Sequence, residues 1–213
     1  MATVLRLHAL IIFSLFLFAF SISTLAHDLR DVNGDPLYNG GLYYIFPVYT
    51  GNGGGLELAR TGRDTCPRTV VKSSSDTSKG LPARLASPST SLTLRSDFLL
   101  TIEFQLENPS ICYRGSRLQW KVEGESQTVK IASSKDEEEV FTGPFKIQPY
   151  RGFYKLVYCP VYPYNGREWC TDLGISMDDQ KNRRLVVKDG EPLKVCFIKA
   201  DRRGDEEDED LDE

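Results

Sequence analysis

The sequence predicts an all-β protein, and three observations support this. Short segments in which apolar and polar residues alternate, as in a strand with one buried face, recur along the chain. Turn-forming pairs such as Asn33-Gly34, Asn165-Gly166 and Asp189-Gly190 separate these segments. No long stretch keeps the spacing of an amphipathic helix. Strands at intervals of about 8 to 12 residues are typical of a β-barrel or a β-sandwich, and composition alone does not choose between the two.

The clearest alternation lies in the second half of the chain, where each alternating segment is predicted to be one strand. In chain order these segments are residues 99–104, 118–122, 129–131, 145–147, 153–158, 185–187 and 193–198.

Residues 1–26 are predicted to be a secretory signal peptide. Arg6 is the only charged residue here, residues 10–20 are densely apolar, and small residues around Ala26 suit a cleavage site. A membrane anchor is the alternative, but the apolar core is short for a bilayer span and the chain turns polar at His27. We therefore expect a mature protein that begins near His27, is secreted and has no membrane partner.

After cleavage, a single domain at residues 27–200 and a charged tail are expected. Loss of Arg6 leaves 25 basic against 30 acidic residues, so the net charge is about −5, which argues against a nucleic-acid partner. Eight of the nine residues 205–213 are carboxylates. Residues 201–213 are therefore predicted to be a disordered acidic tail, with a sorting or processing extension as the functional alternative.

The cysteine count predicts two disulfides and one thiol, because five cysteines remain in an oxidising, secreted context. Cys159 and Cys170 are close in sequence and would close a local loop, which leaves Cys66 and Cys112 to close a long one. Cys196 lies in an alternating segment and is predicted to be a buried free thiol. Pairing of Cys196 between two molecules is the alternative.

Enzyme chemistry is not expected. The only histidines are His8, in the predicted signal peptide, and His27, so a Ser-His-Asp or Cys-His arrangement would lack its base. No Cys-x-x-Cys spacing exists, and we expect neither a metal nor a cofactor. The glycine-rich run at residues 51–55 lacks the Lys-Ser/Thr of a phosphate-binding loop and is predicted to be a flexible hairpin tip. A glycosidase-like pair of catalytic carboxylates is an alternative that the sequence leaves open, since it does not give the distances between carboxylates.

Several motifs together resemble the plant Kunitz, or soybean trypsin inhibitor, family of protease inhibitors. The resemblance covers the mature chain except the acidic tail. Its motifs are Leu29-Arg30-Asp31-Val32-Asn33-Gly34-Asp35-Pro36-Leu37 with Tyr43-Tyr44-Ile45, Cys66-Pro67-Arg68-Thr69-Val70-Val71, Ser87-Pro88, Tyr154-Lys155-Leu156-Val157-Tyr158-Cys159-Pro160, Asp172-Leu173-Gly174-Ile175-Ser176 and Arg183-Arg184-Leu185-Val186-Val187.

The resemblance implies a β-trefoil of twelve strands, six in a barrel and six in a hairpin cap. It also implies disulfides that join Cys66 with Cys112 and Cys159 with Cys170. Many relatives have no cysteine at the position of Cys196, which supports an unpaired thiol there. The default oligomeric state for such a protein is a monomer.

The resemblance further implies an exposed, substrate-like loop whose P1 side chain fills the S1 pocket of a protease. Counted from Pro88, the scissile bond maps to Thr90–Ser91, with Ser89 at P2. The chain departs from the trypsin-inhibiting pattern, because Thr90 cannot pair with a carboxylate in the pocket. Asn39 matches the asparagine that supports the loop in this family; the alternative is that it merely belongs to a turn.

The predicted function is therefore a secreted protease inhibitor, acting in plant defence or in control of endogenous proteases. The expected partner is a serine protease other than trypsin, such as one with a shallow S1 pocket, and a cysteine protease bound through another loop is the alternative. Arg84 as P1 is an alternative register. A storage or ligand-binding trefoil without inhibition is the competing function, and the vacuole is an alternative destination to the extracellular space.

A carbohydrate-binding role is a further alternative, suggested by the two tryptophans. Trp120 lies in an alternating segment and is predicted to be core. Trp169 adjoins Cys170 and is predicted to cover a disulfide, so neither ring favours a sugar site.

Overall fold

The structure is a computed structural model that describes residues 27–48, 53–106, 111–113, 117–124, 127–132, 145–160 and 169–200. The predicted signal peptide at residues 1–26 and the predicted acidic tail at residues 201–213 lie outside the described residues.

The described residues form twelve β-strands and one short 3-10 turn at Ile111–Tyr113. None of them belongs to a helix long and apolar enough to cross a membrane. The strands are β1 (Gly41–Pro47), β2 (Leu56–Ala59), β3 (Thr69–Lys72), β4 (Pro82–Ala86), β5 (Thr101–Phe104), β6 (Trp120–Glu123), β7 (Thr128–Ile131), β8 (Phe145–Tyr150), β9 (Phe153–Tyr158), β10 (Thr171–Met177), β11 (Arg183–Val187) and β12 (Lys194–Lys199).

Three units of four strands repeat along the chain, and each unit contributes one hairpin from its two middle strands. These hairpins are β2 with β3, β6 with β7, and β10 with β11. Strands β3, β7 and β11 also pair with one another. The three hairpins therefore meet around a common centre and form one layer of the molecule.

The outer strands of the three units are joined in a ring of antiparallel pairings. Strand β1 pairs with β12 and β4, β4 with β5, β8 with β9, and β9 with β12. A single bridge between Leu100 and Phe145 connects the start of β5 with β8. Because this last connection is one bridge and not a ladder, a regular six-stranded barrel stays a prediction.

A continuous hydrophobic core fills the space between the ring and the hairpins. The ring strands supply alternating inward side chains, as in β1, where Tyr43 and Ile45 are at most 2% exposed. Trp120 enters from β6, with its ring centroid 5.2 Å from that of Phe104 and 6.0 Å from that of Phe145. Edge-to-face contacts of this kind add to the large area that each ring removes from water.

The seven alternating segments all contain strands, although the bounds shift by one to three residues at several ends. Five strands were not predicted from alternation: β1, β2, β3, β4 and β10. In β3, all four residues are buried, so its Thr-Val-Val-Lys sequence has no exposed face to produce the pattern. In β1, aromatic residues occupy both faces, which hides the alternation in the same way.

The prediction that the glycine-rich run is a flexible hairpin tip is wrong for the part that the structure describes. Gly53, Gly54 and Gly55 are buried. A side chain at Gly55 would collide with the backbone of Lys79, so the residue is glycine because two backbone segments pass very close to each other there. The amides of Gly54 and Gly55 donate to the carbonyls of Ser73 and Ser78, which fixes this segment against β3 and its following turn.

Candidate functional site

The segment at residues 87–93 leaves the ring at the end of β4 and returns beside Tyr38. Its first end is held firmly, because β4 pairs with β1 on one side and with β5 on the other. At the second end, Tyr38 and Thr93 form an isolated antiparallel bridge, and the next residue, Leu94, is fully buried. The segment is therefore a loop with both ends anchored in the core.

The loop exposes every second side chain. Pro88, Thr90 and Leu92 are exposed, whereas Ser89 and Ser91 are half-buried. The backbone bends at residues 88–90 and again at Leu92, so the loop is not a regular extended strand. The residues predicted at P3 and P1 are exposed, and those predicted at P2 and P1′ face the body of the protein.

Asn39 lies beneath the loop and binds its backbone through both atoms of its amide. The Oδ1 atom accepts a hydrogen bond from the Ser87 amide at 2.8 Å. The Nδ2 atom lies 3.1 Å from the Ser87 carbonyl, 3.0 Å from that of Ser89 and 3.2 Å from that of Ser91. Since an amide nitrogen carries two hydrogens, one of them is shared between two carbonyls. Asn39 therefore fixes the backbone on both sides of the Thr90–Ser91 bond.

Serine hydroxyls inside the loop add shorter-range support. The Ser89 amide donates to Ser87 Oγ at 3.3 Å, and the Ser91 amide donates to Ser89 Oγ at 3.2 Å. The Ser91 hydroxyl donates to the Thr93 carbonyl at 2.8 Å. The small polar residues that could be taken for a plain linker thus bind the loop to itself.

Asn39 is itself held by a tight turn at residues 38–41. The Gly41 amide donates to the Tyr38 carbonyl at 3.0 Å, and the Tyr38 amide donates to Tyr43 Oη at 2.8 Å. Burial raises the pKa of the Tyr43 hydroxyl, and its oxygen accepts the bond from Tyr38. A side chain at Gly41 would come within 2.7 Å of the Tyr43 ring, so glycine is required for the tyrosine to reach back.

Arg84 also supports the turn, a role that the sequence did not reveal. It lies within β4, opposite Leu42 on one side and Glu103 on the other, and its Nη1 atom donates to the Gly40 carbonyl at 2.8 Å. A residue paired on both sides in the middle of a sheet cannot enter a protease cleft as P1. The alternative register with Arg84 at P1 is therefore wrong.

The cysteines pair as the family resemblance implies. Disulfides join Cys66 with Cys112 and Cys159 with Cys170, across sequence separations of 46 and 11 residues. The first spans the whole loop at residues 87–93. Cys196 is the predicted free thiol, but it is half-buried and not buried as predicted, since it lies on the partly exposed face of β12. Its Sγ lies 3.6 Å from the Phe46 carbonyl, and burial raises the pKa of its thiol.

The two tryptophans differ in their surroundings. Trp120 is buried in the core, with 2% exposure, as expected from its alternating segment. Trp169, expected to cover a disulfide, is instead 67% exposed. Among the described residues, no group of histidine, cysteine and carboxylate side chains is placed to hold a metal ion.

A family model and several known proteins match this chain. The model for legume Kunitz proteins, described as trypsin and protease inhibitor, matches residues 29–199. A trypsin inhibitor from Leucaena leucocephala is 61% identical over 180 residues, which cover 84% of this chain and 99% of the relative.

Two solved complexes are also similar. The soybean trypsin inhibitor in complex with porcine pancreatic trypsin is 32% identical with a TM-score of 0.70, and the match covers 82% of this chain and 100% of the other. A variant of the Bauhinia bauhinioides kallikrein inhibitor, complexed with human kallikrein 4, is 33% identical with a TM-score of 0.64, covering 81% and 97% of the two chains.

These findings confirm the predicted fold class, an all-β β-trefoil. The loop held by Asn39, the two disulfides and the similar proteins all indicate the same family. The chain belongs to the legume Kunitz family of trypsin and protease inhibitors.

Proposed function

We propose that the chain inhibits a serine protease by presenting the Thr90–Ser91 bond as a substrate. The observation that carries this proposal is the Asn39 amide, which contacts the Ser89 carbonyl at 3.0 Å and the Ser91 carbonyl at 3.2 Å. A loop that is ordered before binding loses little conformational entropy in the complex, so the same contacts yield a higher affinity.

The target in this proposal is a protease other than trypsin. Trypsin selects arginine or lysine because its S1 pocket contains a carboxylate. Thr90 would leave that buried charge unpaired, which costs several kcal/mol relative to a basic residue. A small β-branched side chain instead suits the shallow S1 pocket of an elastase-like or subtilisin-like enzyme. The proposed biological role is defence of the plant or control of its own proteases.

The test is inhibition of trypsin, chymotrypsin, elastase, subtilisin and papain by the oxidised mature protein, with the Thr90→Arg variant in parallel. We expect the wild type to inhibit a serine protease other than trypsin. Thr90→Arg should strengthen trypsin inhibition by at least about 100-fold, because the new guanidinium pairs with the pocket carboxylate.

Leu92→Arg is the matched control for this experiment. Residue 92 is also exposed in the loop, but its carbonyl is held by the Asn39 backbone amide and it lies two residues beyond the proposed bond. If Leu92→Arg confers trypsin inhibition as strongly as Thr90→Arg, the assignment of the bond is wrong. If neither the wild type nor Thr90→Arg inhibits any serine protease, the proposed function is wrong; papain inhibition alone would indicate another loop.

We also propose that the protein is secreted as a monomer after cleavage near His27, with residues 27–200 as the folded domain. The apolar stretch at residues 10–20 and the two disulfides support export to an oxidising compartment. The amino-terminal sequence of the exported protein and its sedimentation behaviour test the cleavage point and the monomer.

A further inference from the structure

Two large apolar side chains flank the point where the loop rejoins the body of the protein. Tyr38 is 49% exposed and Leu92 is 81% exposed. Leu92 precedes Thr93 in sequence, and Tyr38 lies opposite Thr93 in the antiparallel bridge. The backbone amide of Asn39 also donates to the Leu92 carbonyl at 2.8 Å. The backbones that carry Tyr38 and Leu92 are therefore held together.

Leu92 lies on the carboxyl side of the proposed scissile bond, called the prime side, and Tyr38 lies near the same end of the loop because it pairs with Thr93. Leu92 is the second residue after that bond. Thr93 is three residues from Thr90, a span of at most about 10 Å, and residues opposite each other in an antiparallel pair are about 5 Å apart. Tyr38 therefore lies within about 15 Å of Thr90. A protease interface of ordinary size covers about 800 Å² of each partner, equivalent to a disc of about 16 Å radius.

The Tyr38 backbone is fixed at both of its polar groups, which restricts where its side chain can go. Its amide donates to Tyr43 Oη at 2.8 Å, and its carbonyl accepts from the Gly41 amide at 3.0 Å. An exposed aromatic ring on a rigid backbone loses little entropy when it binds. Tyrosine is also among the residues enriched at the energetic centres of protein interfaces.

Thr90 makes such a contact necessary. A threonine at P1 buries much less surface than an arginine or an aromatic residue. Its contact with the S1 pocket therefore supplies a smaller share of the binding energy. Tyr38 and Leu92 are large exposed apolar side chains close to the proposed bond, so they can supply buried apolar area that Thr90 does not.

We infer that Tyr38 and Leu92 each make an apolar contact with the target serine protease and together set which protease is bound. This inference rests on the proposed function, and it specifies the partner as a protease whose surface is apolar where these two side chains make contact. Tyr38, which lies outside the loop, is the more informative of the two residues because it would not be identified from the loop sequence.

The test combines Tyr38→Ala and Leu92→Ala, separately and together, with both the wild type and the Thr90→Arg variant. Inhibition constants are measured against the most strongly inhibited protease of the panel and, for Thr90→Arg, against trypsin. We expect Tyr38→Ala and Leu92→Ala each to weaken inhibition of the wild type's target by about tenfold, and Tyr38→Phe to retain wild-type inhibition because it keeps the ring.

Met177→Ala is the matched control, since Met177 is also an exposed apolar residue, at 62%, but lies at the end of β10. Thermal unfolding of each variant verifies the fold. The rate of cleavage at Thr90–Ser91 distinguishes a residue that contacts the protease from one that supports the loop. Substitution of a contact residue weakens inhibition without faster cleavage, whereas substitution of a supporting residue changes both.

The outcomes distinguish failure of this inference from failure of the proposed function. If the wild type and Thr90→Arg inhibit as proposed but both alanine variants behave like Met177→Ala, the inference is wrong and the function stands. If Tyr38→Ala accelerates cleavage, Tyr38 supports the loop and the inference is also wrong. If neither the wild type nor Thr90→Arg inhibits a serine protease, both proposals fall together.

Discussion

Asn39 is the residue on which the shape of the loop depends most. One side chain contacts the backbone of three loop residues, and no loop side chain reaches as many partners. Its own position is fixed by the turn at residues 38–41, by the Tyr43 hydroxyl and by the Arg84 guanidinium. The loop is therefore ordered by a short chain of contacts that begins in the core.

We predict that Asn39→Ala weakens inhibition by at least tenfold and speeds hydrolysis of Thr90–Ser91. The variant loses the hydrogen bonds from Asn39 that fix the backbone of the loop, and each is worth about 1 kcal/mol. Inhibition constants and a time course of cleavage by mass spectrometry measure the two effects. Asn33→Ala, in an exposed turn, is the control. Unchanged inhibition and cleavage in Asn39→Ala would refute the supporting role.

The site was predictable from sequence only in part. The family resemblance points to Asn39, whose contacts with the loop the structure shows, while the bond counted from Pro88 stays a prediction. The contact between Arg84 and the Gly40 carbonyl was missed, and Arg84 was even considered as P1. The two residues are 44 positions apart, and alternation says nothing about which distant carbonyl a long side chain will reach.

At the scale of elements, the hairpin of β10 and β11 depends on a carboxylate in its turn. Asp178 Oδ1 accepts hydrogen bonds from the amides of Gln180 and Asn182 at 3.0 and 2.8 Å. The Arg184 Nε lies 3.7 Å from Asp178 Oδ2. Partial burial acts to raise the pKa of Asp178, but the bonds from Asn182 and the charge of Arg184 outweigh it and lower the pKa below its ordinary value of 3.8.

We predict that Asp178→Ala lowers the free energy of unfolding by about 1 to 2 kcal/mol at neutral pH. Because the pKa is lower in the folded state, the ionised carboxylate stabilises the fold above pH 3.8, and this contribution is lost as the pH falls through the folded-state pKa. The difference between wild type and variant should therefore shrink from pH 7 to pH 3 in urea denaturation. An equal difference at both values would show that ionisation of Asp178 plays no part.

Which strands were predictable from sequence follows from how many of their faces meet water. β5 and β12 each have one buried and one partly exposed face, and their alternation was evident. β3 is buried on both faces, so its sequence gives no alternation. A strand that is buried on both faces, as β3 is, therefore cannot be predicted from alternation.

For the whole molecule, the two disulfides close loops of very different length. In the chain-entropy model, the Cys66–Cys112 bond, across 46 residues, stabilises by about 4 kcal/mol, and the Cys159–Cys170 bond, across 11, by about 3 kcal/mol. The longer bond encloses β3, β4, the loop and all of β5. It therefore constrains the part of the unfolded chain that contains the functional site.

We predict that replacing Cys66 and Cys112 by serine lowers the free energy of unfolding more than replacing Cys159 and Cys170, by about 1 kcal/mol. Chemical denaturation of both double variants and the oxidised wild type measures the difference. If loss of the Cys159–Cys170 bond were the more destabilising, native contacts around that bond would contribute more than the chain-entropy difference between the two loops.

The position of the longer disulfide decides what happens if a protease does cut Thr90–Ser91. The cut falls inside the loop closed by Cys66 and Cys112, so the two pieces remain one covalent molecule. Asn39 still binds the Ser89 and Ser91 carbonyls on either side of the cut, and the new carboxyl and amino ends stay at a high effective concentration. Resynthesis of the peptide bond can then compete with dissociation of the cut molecule from the protease. We therefore expect the cut molecule still to bind the protease.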